Sequence, residues 1–197
     1  MKAFFIILIF CVQSISAQQS VVKDIKKFQK KLNEDFMNSA KSPLTEDDLA
    51  NFTELSFFPI DTTYVVTAKI ERIKDAKPFK MQTTTDRLPI YVLFAIASFE
   101  LNGKNYSLEI YQNENLMNST IDKNYIFLPF TDMSNGKTSY EGGRYIDLEV
   151  PKGDELIIDF NQAYNPYCAY NPKFSCPIPP KQNHLDTFIE AGVKKYK

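Results

Sequence analysis

The chain has 197 residues and a formal net charge of −1, so it carries no strong field for nucleic acid or for an anionic membrane surface. It contains 16 phenylalanines and 11 tyrosines but no tryptophan, and aromatic residues favour the half-buried surfaces of β-sheets. This length and composition predict one mainly β domain of ordinary size. We expect no cofactor and no metal site.

The first 17 residues have the pattern of a secretory signal peptide. A positive start at Met1-Lys2 precedes an apolar run from residue 3 to residue 12, and small and polar residues follow up to Ala17. The run is too short to cross a bilayer as a helix, and no second apolar span follows it. We therefore expect cleavage after Ala17, export to the periplasm or the extracellular space, and no transmembrane segment in the mature chain. The alternative is a buried N-terminal core helix.

Apolar residues recur at helical spacing between residues 20 and 37, from Val21 to Phe36, with lysines between them. This spacing predicts an amphipathic helix in an N-terminal segment, residues 18–41, that precedes a single β domain over residues 42–197. The lysines leave open a helix that binds a membrane surface. A helix that packs on its own domain is the favoured hypothesis.

From about residue 63 onward the apolar residues alternate with a period of two, as in strands with one buried face. Residues 89–101 are apolar on both faces, which indicates a central strand. Asn102-Gly103 between two strand-like segments predicts a tight hairpin. Pro129 indicates an edge strand or a strand end. The predicted strands cover residues 63–71, 79–84, 89–101, 106–111, 125–130, 144–150 and 155–160. The predicted fold is an antiparallel β-sandwich or barrel of about seven or eight strands with N-terminal helices.

The segment from Asp159 to Pro180, DFNQAYNPYCAYNPKFSCPIPP, follows the last predicted strand and is called the 159–180 loop below. Its two Asn-Pro steps restrict the backbone to extended conformations. Cys168 and Cys176 are separated by seven residues, and in an exported protein such a pair predicts a disulfide. The alternatives are two buried thiols, a zinc site that includes His184, and a Cys–His nucleophile.

Polar and aromatic residues in and around this loop are the candidate ligand-binding residues. Asp159 and Asn161 lie where the last strand enters the loop, and each suits either a ligand or the local backbone, with Arg144 as a further partner for Asp159. Arginine is scarce in the chain, and its planar guanidinium suits bidentate binding. The candidates are Arg87, Lys137, Tyr140, Arg144, Asp159, Asn161, Tyr164, Asn165, Tyr170 and Asn171.

Three blocks of sequence carry a family resemblance: MQTTTDRLPIYVLFAIASFELNG at 81–103, YIFLPFTDMSNGKTSYEGGRYIDL at 125–148, and DFNQAYNPYCAYNPKFSCPIPPKQNHLDTFIEAGVKKY at 159–196. They resemble the DUF1684 family, and the resemblance extends from about Ser42 to Tyr196. It implies a bacterial protein of unknown function that is exported or lipid-anchored, with no catalytic residues to assign. Gln162 and Gln182 stand where the family usually has arginine and glutamate, so an ion pair at this place would be absent.

Three functional hypotheses follow from the sequence. The first is a non-catalytic exported domain that binds a small ligand, a glycan or a cell-envelope partner through the 159–180 loop. The second is a hydrolase-type enzyme that uses Asp159 with Arg144, or Cys168 with His184. The third is a purely structural envelope protein, for which no pocket is expected near the loop.

Overall fold

A computed structural model describes residues 2–197 of the chain, with side chains from residue 18 onward. The three α-helices are α1 (Lys2–Met37), α2 (Glu46–Ala50) and α3 (Glu114–Met117). The eight strands are β1 (Val65–Arg72), β2 (Phe79–Lys80), β3 (Ile90–Leu101), β4 (Lys104–Asn113), β5 (Tyr125–Asp132), β6 (Arg144–Glu149), β7 (Glu155–Asp159) and β8 (His184–Leu185). The predicted signal peptide, residues 1–17, lies outside the residues with described side chains.

The strands form one sheet that curls into a half-barrel, with the order β6-β5-β4-β3-β1-β7. Two short strands lie off this path: β2 pairs with β3, and β8 pairs in parallel with β5. All other pairs are antiparallel. The mainly β, antiparallel fold with N-terminal helices that the sequence predicted is therefore confirmed. The strand predicted over residues 79–84 is shorter than expected, since only Phe79 and Lys80 pair regularly.

The β3–β4 hairpin is the longest pairing in the sheet and confirms the Asn-Gly signal. Asn102 and Gly103 both have positive φ, 52° and 73°, which is the backbone twist that a two-residue hairpin turn needs. Leu93 and Ala95 flank a register shift in β3. Because a bulge changes which residues face which side, Tyr91 faces one side of the sheet while Ala95 faces the other.

Each side of the sheet buries its own apolar cluster. The main core is mostly aliphatic and contains the alternate residues of β1 (Val66, Ala68 and Ile70) together with inward residues of the other long strands. The opposite side is aromatic, and its cluster consists of Met81, Tyr91, Tyr111, Phe127 and Tyr145. The aromatic side is the one that the 159–180 loop and α1 cover.

Helix α1 packs on the domain. Ile25 and Phe36 of its apolar face are 0% and 2% exposed. The Phe36 ring lies 4.8 Å from the Tyr170 ring, centroid to centroid, in an edge-to-face contact. Among the described residues, no helix is long and apolar enough to cross a membrane.

Pro129 lies inside the sheet, because β5 is flanked by β4 and β6 and continues to Asp132, so it is neither on the edge strand nor at the strand end that this proline predicted. Proline has no N–H to give to β4, and β4 and β5 pair regularly only at Tyr111 and Phe127. The Asn183 side chain fills the gap. Its Oδ1 accepts from the Glu109 N–H at 2.8 Å, and its Nδ2 donates to the carbonyls of Glu109 (2.8 Å) and Pro129 (2.7 Å). Asn183 thus replaces the missing strand contacts.

Candidate functional site

The polar residues at the start of the 159–180 loop bind one another and the neighbouring backbone. Asp159 Oδ1 accepts from the Asn161 N–H and from Asn161 Nδ2, both at 2.9 Å, and its Oδ2 accepts from Gln162 Nε2 at 3.1 Å. Asn161 also exchanges two hydrogen bonds with the Asp61 backbone, at 3.0 and 2.9 Å. This is the backbone-holding alternative that the sequence offered for Asp159 and Asn161.

Three further loop candidates, Asn165, Tyr170 and Asn171, are buried. Tyr170 is 5% exposed and belongs to the cluster that holds Phe36. Asn165 Nδ2 donates to the Lys194 carbonyl at 2.9 Å and to the Tyr170 hydroxyl at 3.2 Å. Asn171 Oδ1 accepts from the Lys173 N–H at 3.2 Å. Their side chains support the loop from within the protein.

Arg144 is fully buried, and its partner is Asp132 rather than Asp159. Its Nη2 lies 2.9 Å from Asp132 Oδ2 and also donates to the Ile189 carbonyl at 2.7 Å, while its Nη1 donates to the Ala191 carbonyl. Burial lowers the pKa of Arg144, and the Asp132 carboxylate opposes that shift. The pair fastens the C-terminal segment to β5 and β6. Arg144 therefore does not supply a guanidinium to a hydrolase pair with Asp159.

The remaining charged and hydroxyl candidates are spread over the surface. Arg87 donates to the hydroxyl and the carbonyl oxygen of Ser175, at 3.0 and 2.7 Å, and so anchors the loop from outside. Lys137 Nζ lies 4.8 Å from the centroid of the Phe188 ring. Tyr140 is half-buried, and desolvation raises its pKa to about 12. Arg87 is exposed, whereas Arg144 and Asp159 are buried and bind Asp132 and Asn161, so these three side chains do not form one site.

The predicted disulfide is wrong, because Cys168 and Cys176 are free thiols that do not lie at disulfide distance. Instead, the Cys168 N–H donates to Cys176 Sγ at 3.1 Å, and the Tyr140 hydroxyl lies 4.0 Å from Cys168 Sγ. The hydrogen bond from the Cys176 thiol lowers the pKa of Cys168 to about 7, and the same contact raises the pKa of Cys176. Proline and aromatic packing, together with the Arg87–Ser175 contacts, hold the loop in place of a covalent bridge.

His184 does not join the two cysteines. Its Nδ1 lies 3.0 Å from the Thr131 hydroxyl, where β8 pairs with β5. Among the residues with described side chains, no three cysteine, histidine or acidic groups lie close enough together to hold a metal ion. The Cys168–Cys176–His184 ligand set and the Cys168–His184 nucleophile pair are therefore not assembled.

A cavity of about 460 Å³ lies between α1, the 159–180 loop and the aromatic side of the sheet. We call it the aromatic cleft, because five rings line it: Phe28, Tyr145, Tyr164, Tyr167 and Phe174. Phe28 and its neighbour Leu32 come from one face of α1, since residues four apart lie side by side on a helix. Pro166 and Pro177 of the loop complete the wall. Under the third hypothesis from the sequence, that of a purely structural protein, no pocket was expected beside this loop.

Asp147 of β6 is an accessible carboxylate in this cleft. Its Oδ1 accepts a hydrogen bond from each of the phenolic hydroxyls of Tyr125 and Tyr164, with an O···O distance of 2.7 Å in both cases. Desolvation by the surrounding protein raises the pKa of Asp147, and the two tyrosine hydrogen bonds partly oppose this. The same desolvation raises the pKa of both tyrosines well above the ordinary value. The site therefore holds a carboxylate in an apolar setting with neutral tyrosines beside it.

Two further charged residues of α1 line the mouth of the cleft. Lys31 forms an ion pair with Asp35, whose second oxygen binds Lys41 at 3.1 Å. Hydrogen bonds from these lysines hold the pKa of Asp35 below its usual value. Asp35 thus pairs with two lysines, and this group carries a formal charge of +1, whereas Asp147 has no ion pair among the described residues.

Sequence reasoning named Tyr164 but missed Asp147 and the α1 wall. One signal was available for Asp147: aspartate is disfavoured in strands, yet it occurs in the middle of RYIDLEV, which alternates strictly. Alternation places Asp147 on the same face as Tyr145. The sequence held no comparable signal for the docking position of α1.

The curled antiparallel sheet forms a β half-barrel with a ligand-sized cleft beside its N-terminal helix. The chain belongs to the DUF1684 family, "Protein of unknown function (DUF1684)", whose sequence model matches residues 50–194. It is also similar to a solved structure, the solution NMR structure of the uncharacterized protein from gene locus rrnAC0354 of Haloarcula marismortui. That similarity has 32% sequence identity and a TM-score of 0.71, and covers 91% of this chain and 96% of the other. No curated protein matches the chain.

Proposed function

We propose that this protein is a non-catalytic binding domain that takes a small molecule into the aromatic cleft. The observation that carries the proposal is the accessible Asp147 carboxylate among five aromatic rings in a 460 Å³ cavity. Ligand pockets usually enclose roughly 300–1,000 Å³ and combine apolar walls with a few convergent polar groups. The aromatic cleft fits this description.

The rigidity of the surroundings supports binding in a preformed site. The Tyr145 hydroxyl donates to the Pro177 carbonyl, and the backbones of Tyr145 and Tyr164 exchange hydrogen bonds at 2.9 and 3.0 Å. These contacts fix the loop to β6 before any ligand arrives. Preorganisation of this kind lowers the cost of ordering a site on binding.

The arrangement of the other polar groups favours binding over catalysis. Arg144 is committed to Asp132, and His184 lies beside Thr131, so neither pair considered for a hydrolase is assembled. Export of the protein, which the N-terminal pattern predicts, forms part of the proposal. A ligand taken up outside the cytoplasm would reach the cleft directly.

The test is a fragment screen by ligand-observed NMR with cationic, neutral polyhydroxylated and anionic compounds. The blocking variant is Leu32→Trp, which places a larger side chain in the cleft. Its matched control is Glu34→Trp, which adds the same residue to an exposed position of α1. We expect binding to the wild type and to Glu34→Trp, and loss of binding to Leu32→Trp.

Chemical-shift mapping on the labelled wild-type protein makes the test independent of how Leu32→Trp folds. We expect the largest shifts at Tyr145, Tyr164 and Tyr167. If no fragment class binds, or if the shifts map to another surface, the proposal fails.

A further inference from the structure

The aromatic cleft is poor in free hydrogen-bond donors. The hydroxyls of Tyr125 and Tyr164 both donate to Asp147, and the Tyr145 hydroxyl donates to the Pro177 carbonyl. The Ser175 hydroxyl is occupied by Arg87 and by the hydroxyls of Thr83 and Thr85. A ligand that needs several donors from the protein, such as a sugar, finds few of them here.

The free polar capacity of the cleft is that of an acceptor. Both tyrosine hydrogen bonds go to Oδ1 of Asp147, and among the described residues none goes to its Oδ2. The single lysine in the lining, Lys31, is paired with Asp35. The lining contains one lysine and two aspartates, and Lys41 also binds Asp35, so Asp147 is the one carboxylate of the lining without an ion pair among the described residues. The Asp147 carboxylate would repel an anionic ligand, whereas a cationic ligand would form an ion pair with it.

The rings in the lining point to the same class of ligand. Phe28, Tyr145, Tyr164, Tyr167 and Phe174 all border the cavity that Asp147 enters. The π-faces of aromatic rings attract ammonium groups, and this attraction grows when the site is shielded from water. A carboxylate that lacks a counter-charge adds to that attraction.

We propose that the aromatic cleft selects a small organic cation, whose amine or quaternary ammonium group lies against Asp147 and among the tyrosine and phenylalanine rings. This inference rests on the proposed function and names the chemistry of its ligand. Lys31 and Asp35 of α1 lie at the mouth of the cleft and pair with each other. The charge of Asp147 is therefore the feature that selects a cationic ligand.

The test uses two pairs of probes that differ chiefly in charge. The first is choline against its neutral carbon isostere 3,3-dimethylbutan-1-ol, and the second is phenethylammonium against 2-phenylethanol. Dissociation constants are measured by NMR titration of the full chain at neutral pH. We expect at least one cation to bind ten times or more tightly than its neutral partner.

The variant Asp147→Asn removes the charge and keeps an oxygen that can accept from Tyr125 and Tyr164. We expect it to weaken binding of that cation at least tenfold and to leave the neutral partner within about twofold. Asp186→Asn, which removes an exposed aspartate, is the charge-matched control and should change neither.

The outcomes separate this inference from the proposed function. If each neutral compound binds as tightly as its cation, or if Asp147→Asn leaves cation binding unchanged, the cation inference is wrong while a binding cleft remains. If no member of the fragment screen binds in the cleft, both fail. Thermal unfolding of each variant confirms that the compared proteins are folded.

Discussion

The Tyr164 hydroxyl donates a 2.7 Å hydrogen bond to Asp147 and so joins the 159–180 loop to β6 at the wall of the aromatic cleft. The same carboxylate oxygen accepts from Tyr125 of β5. One acidic side chain thus connects two strands and the loop. Its protonation should therefore affect both the stability of the protein and the binding that we propose.

The raised pKa of Asp147 predicts a pH-dependent contribution to stability. The folded protein keeps this proton to a higher pH than the unfolded chain, whose aspartates titrate near roughly 3.9. Between the pKa of the unfolded chain and the raised pKa of the folded protein, Asp147 therefore lowers the free energy of unfolding as the pH rises. Urea unfolding between pH 3 and 7 should show Asp147→Asn gaining stability relative to the wild type across this window. A constant difference between the two proteins would contradict the assignment.

Two tyrosines of the 159–180 loop should respond differently to truncation. Tyr170 is 5% exposed and packs against Phe36, so Tyr170→Ala should lower the free energy of unfolding by about 3–5 kcal/mol, as for other buried aromatic residues. Tyr167 is 42% exposed at the cleft, and Tyr167→Ala should cost clearly less. Chemical denaturation of both variants measures these losses in the free energy of unfolding. Equal losses would contradict the assignment of Tyr170 to the core and of Tyr167 to the cleft surface.

The buried Arg144–Asp132 pair should be costly to break. Arg144→Met leaves the Asp132 carboxylate without its cation inside the protein, and breaking such a pair typically costs about 3–5 kcal/mol. Lys137→Met is the control, because Lys137 is exposed and forms no ion pair among the described residues. We expect denaturation midpoints to shift strongly for Arg144→Met and little for Lys137→Met. Similar small shifts would mean that the C-terminal segment does not depend on this pair.

Asn183 should tolerate neither shortening nor a change of charge. Asn183→Asp preserves the shape but removes the donor that serves the Glu109 and Pro129 carbonyls. It leaves buried polar groups unpaired, which costs about 1–3 kcal/mol for each group. We expect Asn183→Asp to destabilise the protein about as much as Asn183→Ala, as measured by urea unfolding. A nearly neutral Asn183→Asp would exclude the bridging role.

The two thiols of the 159–180 loop should both be free, and they should differ in reactivity towards alkylating reagents. Peptide mapping after alkylation without reductant should find both Cys168 and Cys176 modified, because they do not lie at disulfide distance. In the native protein Cys168 should react with iodoacetamide faster than Cys176, since it is less buried and the Cys176 thiol lowers its pKa to about 7. The variant Cys176→Ala removes that hydrogen bond and should slow Cys168 near neutral pH. A linked Cys168–Cys176 peptide would contradict the free-thiol geometry.

The sequence alone predicted the regular elements of the sheet well. Alternation in β1, the apolar run of β3 and the Asn102-Gly103 turn are local signals, because strand pleat and turn conformation depend on neighbouring residues. The family was also readable from contiguous blocks of sequence. Pro129 misled, because the side chain of Asn183, 54 residues further along the chain, supplies the missing sheet contacts.

Only the tertiary structure decided the roles of the polar residues. Arg144 and Asn165 were both candidate binding residues in the sequence, but the packing of other segments buries them against Asp132 and the Lys194 carbonyl. Asp147 became the candidate binding group because α1 and the loop enclose a cavity over β6. A side chain's neighbours depend on long-range docking, which local spacing does not encode. The sequence by itself therefore determined which strands form, and the tertiary structure decided which carboxylate lines the aromatic cleft.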